Sequence, residues 1–222
     1  MPDNTRSKSP MPVVVLISGR GSNLKAIIDA VKKKKLSVDI KAVISNNCHA
    51  DGLVFAEDAD INVKCFDKAD FSDRESFDHA LQMHIDTYSP GLVILAGYMQ
   101  ILSDPFVQHY HGRLLNIHPS LLPDYPGLHT HQRAIDDQVK KHGASVHFVT
   151  RELDGGPVVS QTSVPVLPDD TPESLARRVL AKEHPLYITA IDWFVSGRLT
   201  LQNDKIHFDG KPLHAPKQLE HH

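Results

Sequence analysis

The chain has 222 residues, 41% of them hydrophobic and 23% charged, with a formal net charge of −3 at pH 7. This ordinary globular composition supplies no basic field to hold nucleic acid and no apolar run long enough to span a membrane. Small molecules are the expected partners and the cytoplasm the expected setting, with monomer and homodimer both open.

Residues 1–12 are polar and proline-bearing without an apolar stretch, so they read as a disordered tail and not as a signal peptide. Residues 13–17 (Val-Val-Val-Leu-Ile) form a continuous β-branched run of the kind buried on both faces of a parallel sheet. A helical pattern follows, with Leu24, Ile27, Ile28 and Val31 at three- and four-residue spacing. The alternation continues through a strand at 42–44, a helix at 53–59, a strand at 63–66, a helix at 72–88 and a strand at 92–96. Such a βαβ rhythm predicts an α/β fold with a doubly wound, mostly parallel twisted sheet.

Past residue 96 the spacing predicts strands at 114–117, 144–150 and 158–166, with a short amphipathic helix at 130–139. Thr171-Pro172-Glu173 is a helix opening, with threonine as cap, proline in the first position and an acid in the first turn. That helix should reach about residue 196, and a small hairpin over 199–208, turning on Asn203-Asp204, should close a single domain of residues 13–209. Residues 210–222 read as a tail whose last four look like the start of an expression tag. Cys48 and Cys65 are too few for a disulfide framework and read as buried thiols in a reducing compartment.

Three places carry candidate chemistry. Ser18-Gly19-Arg20-Gly21-Ser22-Asn23 joins the first strand to a helix, where unpaired N–H groups and the positive dipole end suit an anion. Leu24 stands where a dinucleotide fingerprint wants its third glycine, so phosphate binding and a plain tight turn are the two readings. Asn116 and His118 lie two apart at a strand end, which projects an amide donor and an imidazole to the same side, roughly 6.5 Å apart at Cα. Asp154 precedes Gly155 and Gly156 in a turn after the strand at 144–150; spacing alone leaves open whether it reaches His118. The pairs His109/His111 and His129/His131 lack a matching third ligand, so no metal is expected.

In order and spacing, these segments, together with residues 115–123, 125–131, 147–149 and 152–157, closely resemble the folate-dependent phosphoribosylglycinamide formyltransferase family over about residues 13–209. The resemblance implies transfer of a formyl group from 10-formyltetrahydrofolate to the amine of glycinamide ribonucleotide. It implies a catalytic set of Asn116, His118 and Asp154, with Asn116 and His118 stabilising a tetrahedral oxyanion. It also implies a ribonucleotide site at Gly21, Ser22, Asn23 and Glu183. The implied folate site comprises Arg74, Met99, Gln100, Ile101, Leu102, Asn116, Arg151, Glu152, Leu153 and Asp154. Gln100 replaces a residue that is often basic in the family, and Arg151 one that is often acidic. Gly21, Asn116 and Asp154 should border one crevice, and residues 120–141 should form a mobile lid in which Leu122-Pro123 matches a position that is often cis. The alternatives are a formyltetrahydrofolate hydrolase and a non-catalytic nucleotide-binding module.

Overall fold

Strand β1 (Met11–Ile17) shows why the chain folds in layers. Val13, Val15 and Ile17 pack into one hydrophobic core while Val14 and Leu16 pack into another, so one strand supplies both faces of the sheet. The structure, a computed structural model, describes residues 9–219. After β1 come α1 (Ser22–Lys32), β2 (Val38–Ser45), α2 (Leu53–Glu57), β3 (Asn62–Cys65) and α3 (Arg74–Asp86). Next are β4 (Leu92–Leu95), α4 (Asp104–His109), β5 (Leu114–His118), α5 (Thr130–Asp136), β6 (Lys141–Phe148) and β7 (Val158–Pro165). The long α6 (Pro172–Val195) and the short strands β8 (Leu199–Gln202), β9 (Lys205–Phe208), β10 (Lys211–Pro212) and β11 (Lys217–Gln218) complete the chain.

The main sheet has the order β11-β7-β6-β5-β4-β1-β2-β3, parallel except where β6 pairs with β5 and β7. This is the doubly wound architecture expected from the sequence. From β1 the chain runs outward to β2 and β3, then returns to β4 on the other side of β1. The strand order therefore reverses between β1 and β4, and ligand crevices of open α/β sheets lie outside the carboxyl ends at such a point. Leu24 and Ile27 of α1 and Val179, Leu186 and Ile191 of α6 cover one face. Phe77, Leu81 and Ile85 of α3 and Phe106 of α4 cover the other. The buried Tyr187 hydroxyl reaches the carbonyls of Leu95 and Leu115 at 3.0 and 2.9 Å, which ties α6 to the ends of β4 and β5.

Helix α6 opens as its sequence indicates: Thr171 Oγ1 accepts from the Ser174 N–H at 3.2 Å, and Ser174 Oγ accepts from the Thr171 N–H at 3.0 Å. The β8–β9 hairpin turns on Asn203 and Asp204, both left-handed at φ 50° and 59°, as a two-residue hairpin requires.

Several expectations need correction. Met11 and Pro12 belong to β1, paired with Val38 and Asp39: the Met11 N–H donates to the Ser37 carbonyl at 3.4 Å on that side, and the proline's carbonyl accepts from the Gly91 N–H at 2.8 Å on the other. Residues 210–219 are not a free tail: β10 adds to the hairpin, β11 lies on β7, and the Leu219 N–H donates to the Gln161 carbonyl at 2.9 Å. The remaining positions assigned to tails, 1–8 and 220–222, lie outside the described residues. Helix α4 was not anticipated, since six residues are too few to show a period. Cys48 is exposed, Cys65 is half-buried, and the two form a disulfide with Cα atoms 5.3 Å apart. The reading of two separate buried thiols fails because β2 and β3 are parallel neighbours, with Ser45 paired to Cys65, so the loop leaving β2 passes beside the end of β3.

Candidate active site

Asn116 and His118 sit on the carboxyl half of β5, which pairs antiparallel with β6 in a register that sets Asn116 opposite His147 and His118 opposite Ser145. Asp154 arrives from the turn joining β6 to β7, in the left-handed region at φ 51°. Two residues on, a side chain at Gly156 would put its Cβ 1.9 Å from the Phe148 carbonyl oxygen, so only glycine lets the turn close against β6. The folded sheet thus brings together Asn116, His118 and Asp154 around one cavity of about 410 Å³.

Within it, Asp154 Oδ2 lies 3.5 Å from His118 Nδ1 and accepts the Gly127 N–H at 2.8 Å, while Asp154 Oδ1 lies 3.7 Å from His147 Nε2. His118 Nε2 stands 2.9 Å from the Tyr125 carbonyl, an acceptor only, so this nitrogen donates. The side chains of His118 and Asp154 are only 8% and 9% exposed, so their interaction is shielded from bulk water. His147 is more buried still. Desolvation holds its imidazole well below the usual value, at about 4, against the opposing influence of the Phe148 carbonyl and the Asp154 charge. Neither His147 nor the two backbone groups of residues 125 and 127 was singled out by sequence reasoning. His147 falls in the 147–149 segment of the family resemblance but receives no role there, and its facing of Asn116 depends on the β6 register, which cannot be read before the pairing of β5 and β6 is known.

The same cavity is walled by Met99, Gln100, Ile101 and Leu102 on one side and Arg151, Glu152 and Leu153 on another. Arg74 lies beside it, in a neighbouring cleft with Lys68, Asn46, Met99, Gln100 and Ile101, and its guanidinium donates to the Leu102 carbonyl. The buried Asp78 accepts the Ser103 N–H at 2.5 Å, so α3 grips the 99–103 segment at two points. Gln100 accepts from Asn46 Nδ2 at 3.4 Å, and the exposed Arg151 has its Nε 3.9 Å from an Asp104 oxygen.

Gly21 is not among the residues that line this cavity. It follows β1, which β4 separates from β5, so it lies across two strand spacings, roughly 10 Å, from the Asn116 strand. Gly21 is left-handed at φ 69° and its Cβ would sit 2.5 Å from Gly52 Cα, so glycine is obligatory on both counts. The Gly52 N–H holds the Gly19 carbonyl at 3.0 Å. Gly52 is another residue that nothing in the sequence flagged. Ser22 begins α1, and Asn23 Nδ2 donates to Glu183 Oε2 at 2.9 Å, so the structure brings together two residues 160 positions apart. Burial raises the Glu183 carboxyl above its ordinary value, and the Asn23 bond offsets part of that rise.

The predicted lid segment is anchored at its start. Leu122-Pro123 is cis, Leu122 N–H donates to Ser145 Oγ at 3.0 Å, and Thr130 Oγ1 donates to the Pro119 carbonyl at 2.7 Å. Residues 125 and 127 are the part that touches His118 and Asp154. His131 Nδ1 and His142 Nε2 are 3.1 Å apart, and burial lowers both, His142 to about 4. His109 meets Asp86 at 2.9 Å and His111 meets Asp204 at 3.4 Å. Among the described residues no group of three or more His, Cys, Asp or Glu side chains is arranged to hold a metal ion, and no helix is long and apolar enough to cross a membrane.

The family model described as formyl transferase matches residues 11–191. Phosphoribosylglycinamide formyltransferase of Escherichia coli (strain K12) is 51% identical over 203 residues, which cover 91% of this chain and 96% of that protein. The human trifunctional purine biosynthetic protein adenosine-3 is 41% identical over 90% of this chain and 20% of its own length. Among solved structures, phosphoribosylglycinamide formyltransferase from Coxiella burnetii superposes with a TM-score of 0.91 at 48% identity, covering 95% of this chain and all of that one. A formyltetrahydrofolate deformylase from Pseudomonas syringae also superposes, with a TM-score of 0.83 at 28% identity over 67% of its chain.

Proposed function

The chain belongs to the phosphoribosylglycinamide formyltransferases of the formyl transferase family, and from that premise we propose that it moves the formyl group of 10-formyltetrahydrofolate onto the amine of glycinamide ribonucleotide, using Asn116, His118 and Asp154. The observation that carries the reading is the convergence of these three side chains, from β5 and the β6–β7 turn, on one largely apolar cavity.

The folate fits that cavity by shape and chemistry. Leu95, Leu102, Val107 and Val149 offer apolar wall to a flat ring system, and the 99–102 and 151–154 segments supply polar groups along the edge. Arg74, pinned to the Leu102 carbonyl, holds one wall and leaves positive charge beside the cleft for a carboxylate tail. The ribonucleotide phosphate rests on the N–H groups at the start of α1, and buried Glu183, fixed by Asn23, accepts hydroxyl hydrogen bonds from the ribose. A span of roughly 10 Å from Gly21 to the β5 strand leaves room for ribose and glycinamide between phosphate and reacting amine.

The donor folate supplies an activated formyl carbon, and the amine adds to it. Negative charge develops on the formyl oxygen, where an Asn116 N–H and the His118 imidazole stabilise it more in the transition state than in the ground state. His118 Nε2 is committed to the Tyr125 carbonyl, so Nδ1 is the nitrogen that faces Asp154 and the reacting groups. Asp154, held by the Gly127 N–H, orients His118 and accepts the proton lost by the amine, directly or through one water. The tetrahedral adduct then collapses: the bond between the formyl carbon and the folate nitrogen breaks, that nitrogen takes up the proton, and tetrahydrofolate leaves. The test is to mix protein with both substrates and follow tetrahydrofolate release. Release that depends on the ribonucleotide is expected; release at the same rate without it would make the protein a hydrolase, and no release with either would sink the enzymatic reading.

A further inference from the structure

Asn116 can stabilise an oxyanion only if its amide presents nitrogen, not oxygen, to the reacting group. The two orientations differ by a rotation of about 180° that the side chain's shape does not resist. His147 decides between them. Its Nδ1 is 3.0 Å from the carbonyl oxygen of Phe148, which can only accept, so Nδ1 carries the proton. The ring is 2% exposed and neutral over the physiological range, so Nε2 carries a lone pair. That lone pair lies 3.1 Å from Asn116 Nδ2, in a register where the two residues face each other directly across β5 and β6. A flipped amide would set its oxygen against the Nε2 lone pair, two acceptors in contact in a buried site.

We propose that His147 is a positioning residue for formyl transfer: its Nε2 lone pair takes one N–H of the Asn116 amide, fixes the amide's orientation, and leaves the second N–H of the same nitrogen for the formyl oxygen. The Phe148 carbonyl sets the tautomer, so a backbone group dictates, through one imidazole, which end of Asn116 meets the substrate. The neutral ring also has no proton on Nε2 to offer Asp154, 3.7 Å away, and so leaves that carboxylate to His118. This inference rests on the role of Asn116 proposed above.

His147→Phe keeps the ring and removes the acceptor, whereas His147→Gln places an amide oxygen near the position of Nε2. The expected result is a fall in kcat for His147→Phe on the order of 10- to 100-fold, below the loss for a whole oxyanion donor, with KM for the ribonucleotide changed less than about twofold. His147→Gln should recover most of that loss. In the Asn116→Ala background the Phe substitution should cost no more than about a further twofold, because a residue acting only through Asn116 has nothing left to position. Independent, multiplicative losses would overturn the proposal. A silent Asn116→Ala would instead overturn the assigned role of Asn116. Should His147→Phe fail to fold, ¹⁵N NMR of the imidazole in the unsubstituted protein decides: an Nδ1–H tautomer is expected, and an Nε2–H tautomer would overturn the proposal.

Discussion

Asn23 and Glu183, at opposite ends of the sequence, meet at 2.9 Å where α1 packs beside α6, and both are buried. A carboxylate buried there at a cost to folding needs a use, and the α1 N-terminus next to it supplies one. Burial raises the Glu183 pKa, so its neutral form suits the fold. The stability it contributes is present below the ordinary carboxylate value and is lost as pH rises through the raised value. Glu183→Gln keeps the bond from Asn23 and cannot ionise. It should melt higher than the parent above neutrality, with the gap closing at acid pH, while the Kd for glycinamide ribonucleotide rises about tenfold, the worth of one charge-assisted hydrogen bond. Calorimetry at two pH values checks the first effect and titration the second; unchanged affinity would remove Glu183 from the substrate site.

The segment from residue 120 to 141 should behave as a lid hinged at its anchored start. The Tyr125 carbonyl and the Gly127 N–H are its contacts with His118 and Asp154, and loops that close over a substrate come from the less stable parts of a fold. Hydrogen exchange should be faster at residues 125–129 than in β5 or β6 and should slow on binding folate. Uniform protection with and without ligand would contradict this.

The Cys48–Cys65 bridge closes a loop of 17 residues. Chain entropy gives such a bridge up to about 3 kcal/mol of stabilisation. Denaturant unfolding with and without a thiol reductant should show a lower midpoint in the reduced protein, and Cys65→Ser should match the reduced parent in either condition. Identical midpoints would show that the closed loop gives the folded state no net stability.

Much of this arrangement was legible because it is local. The β1 run, the Thr171 cap, the Asn203-Asp204 turn and the strand that carries Asn116 and His118 each declare themselves within a few residues. What stayed hidden depends on which strands lie side by side. Asp154 reaches His118 only because β6 returns antiparallel beside β5, and the same register places His147 against Asn116. A shift of one residue would turn these side chains to the opposite face of the sheet. The cysteine pair, the support of Gly21 by Gly52 and the docking of β11 on β7 are likewise facts of adjacency, with no periodicity to announce them.

The most direct measurement concerns Asp154, which local reasoning could not separate from an ordinary turn residue. Asp154→Asn keeps the size of the side chain and an oxygen for the Gly127 N–H, but removes the charge facing His118 and the capacity to take a proton. Turnover with saturating substrates should fall by at least ~10²-fold, the scale of a lost acid–base group. The Kd for glycinamide ribonucleotide should stay within about twofold, because the proposed phosphate site at the Gly21 loop lies roughly 10 Å away across two strand spacings. A folded variant with near-parental turnover, or one that loses ribonucleotide binding instead, would contradict the assignment of Asp154 to the chemistry.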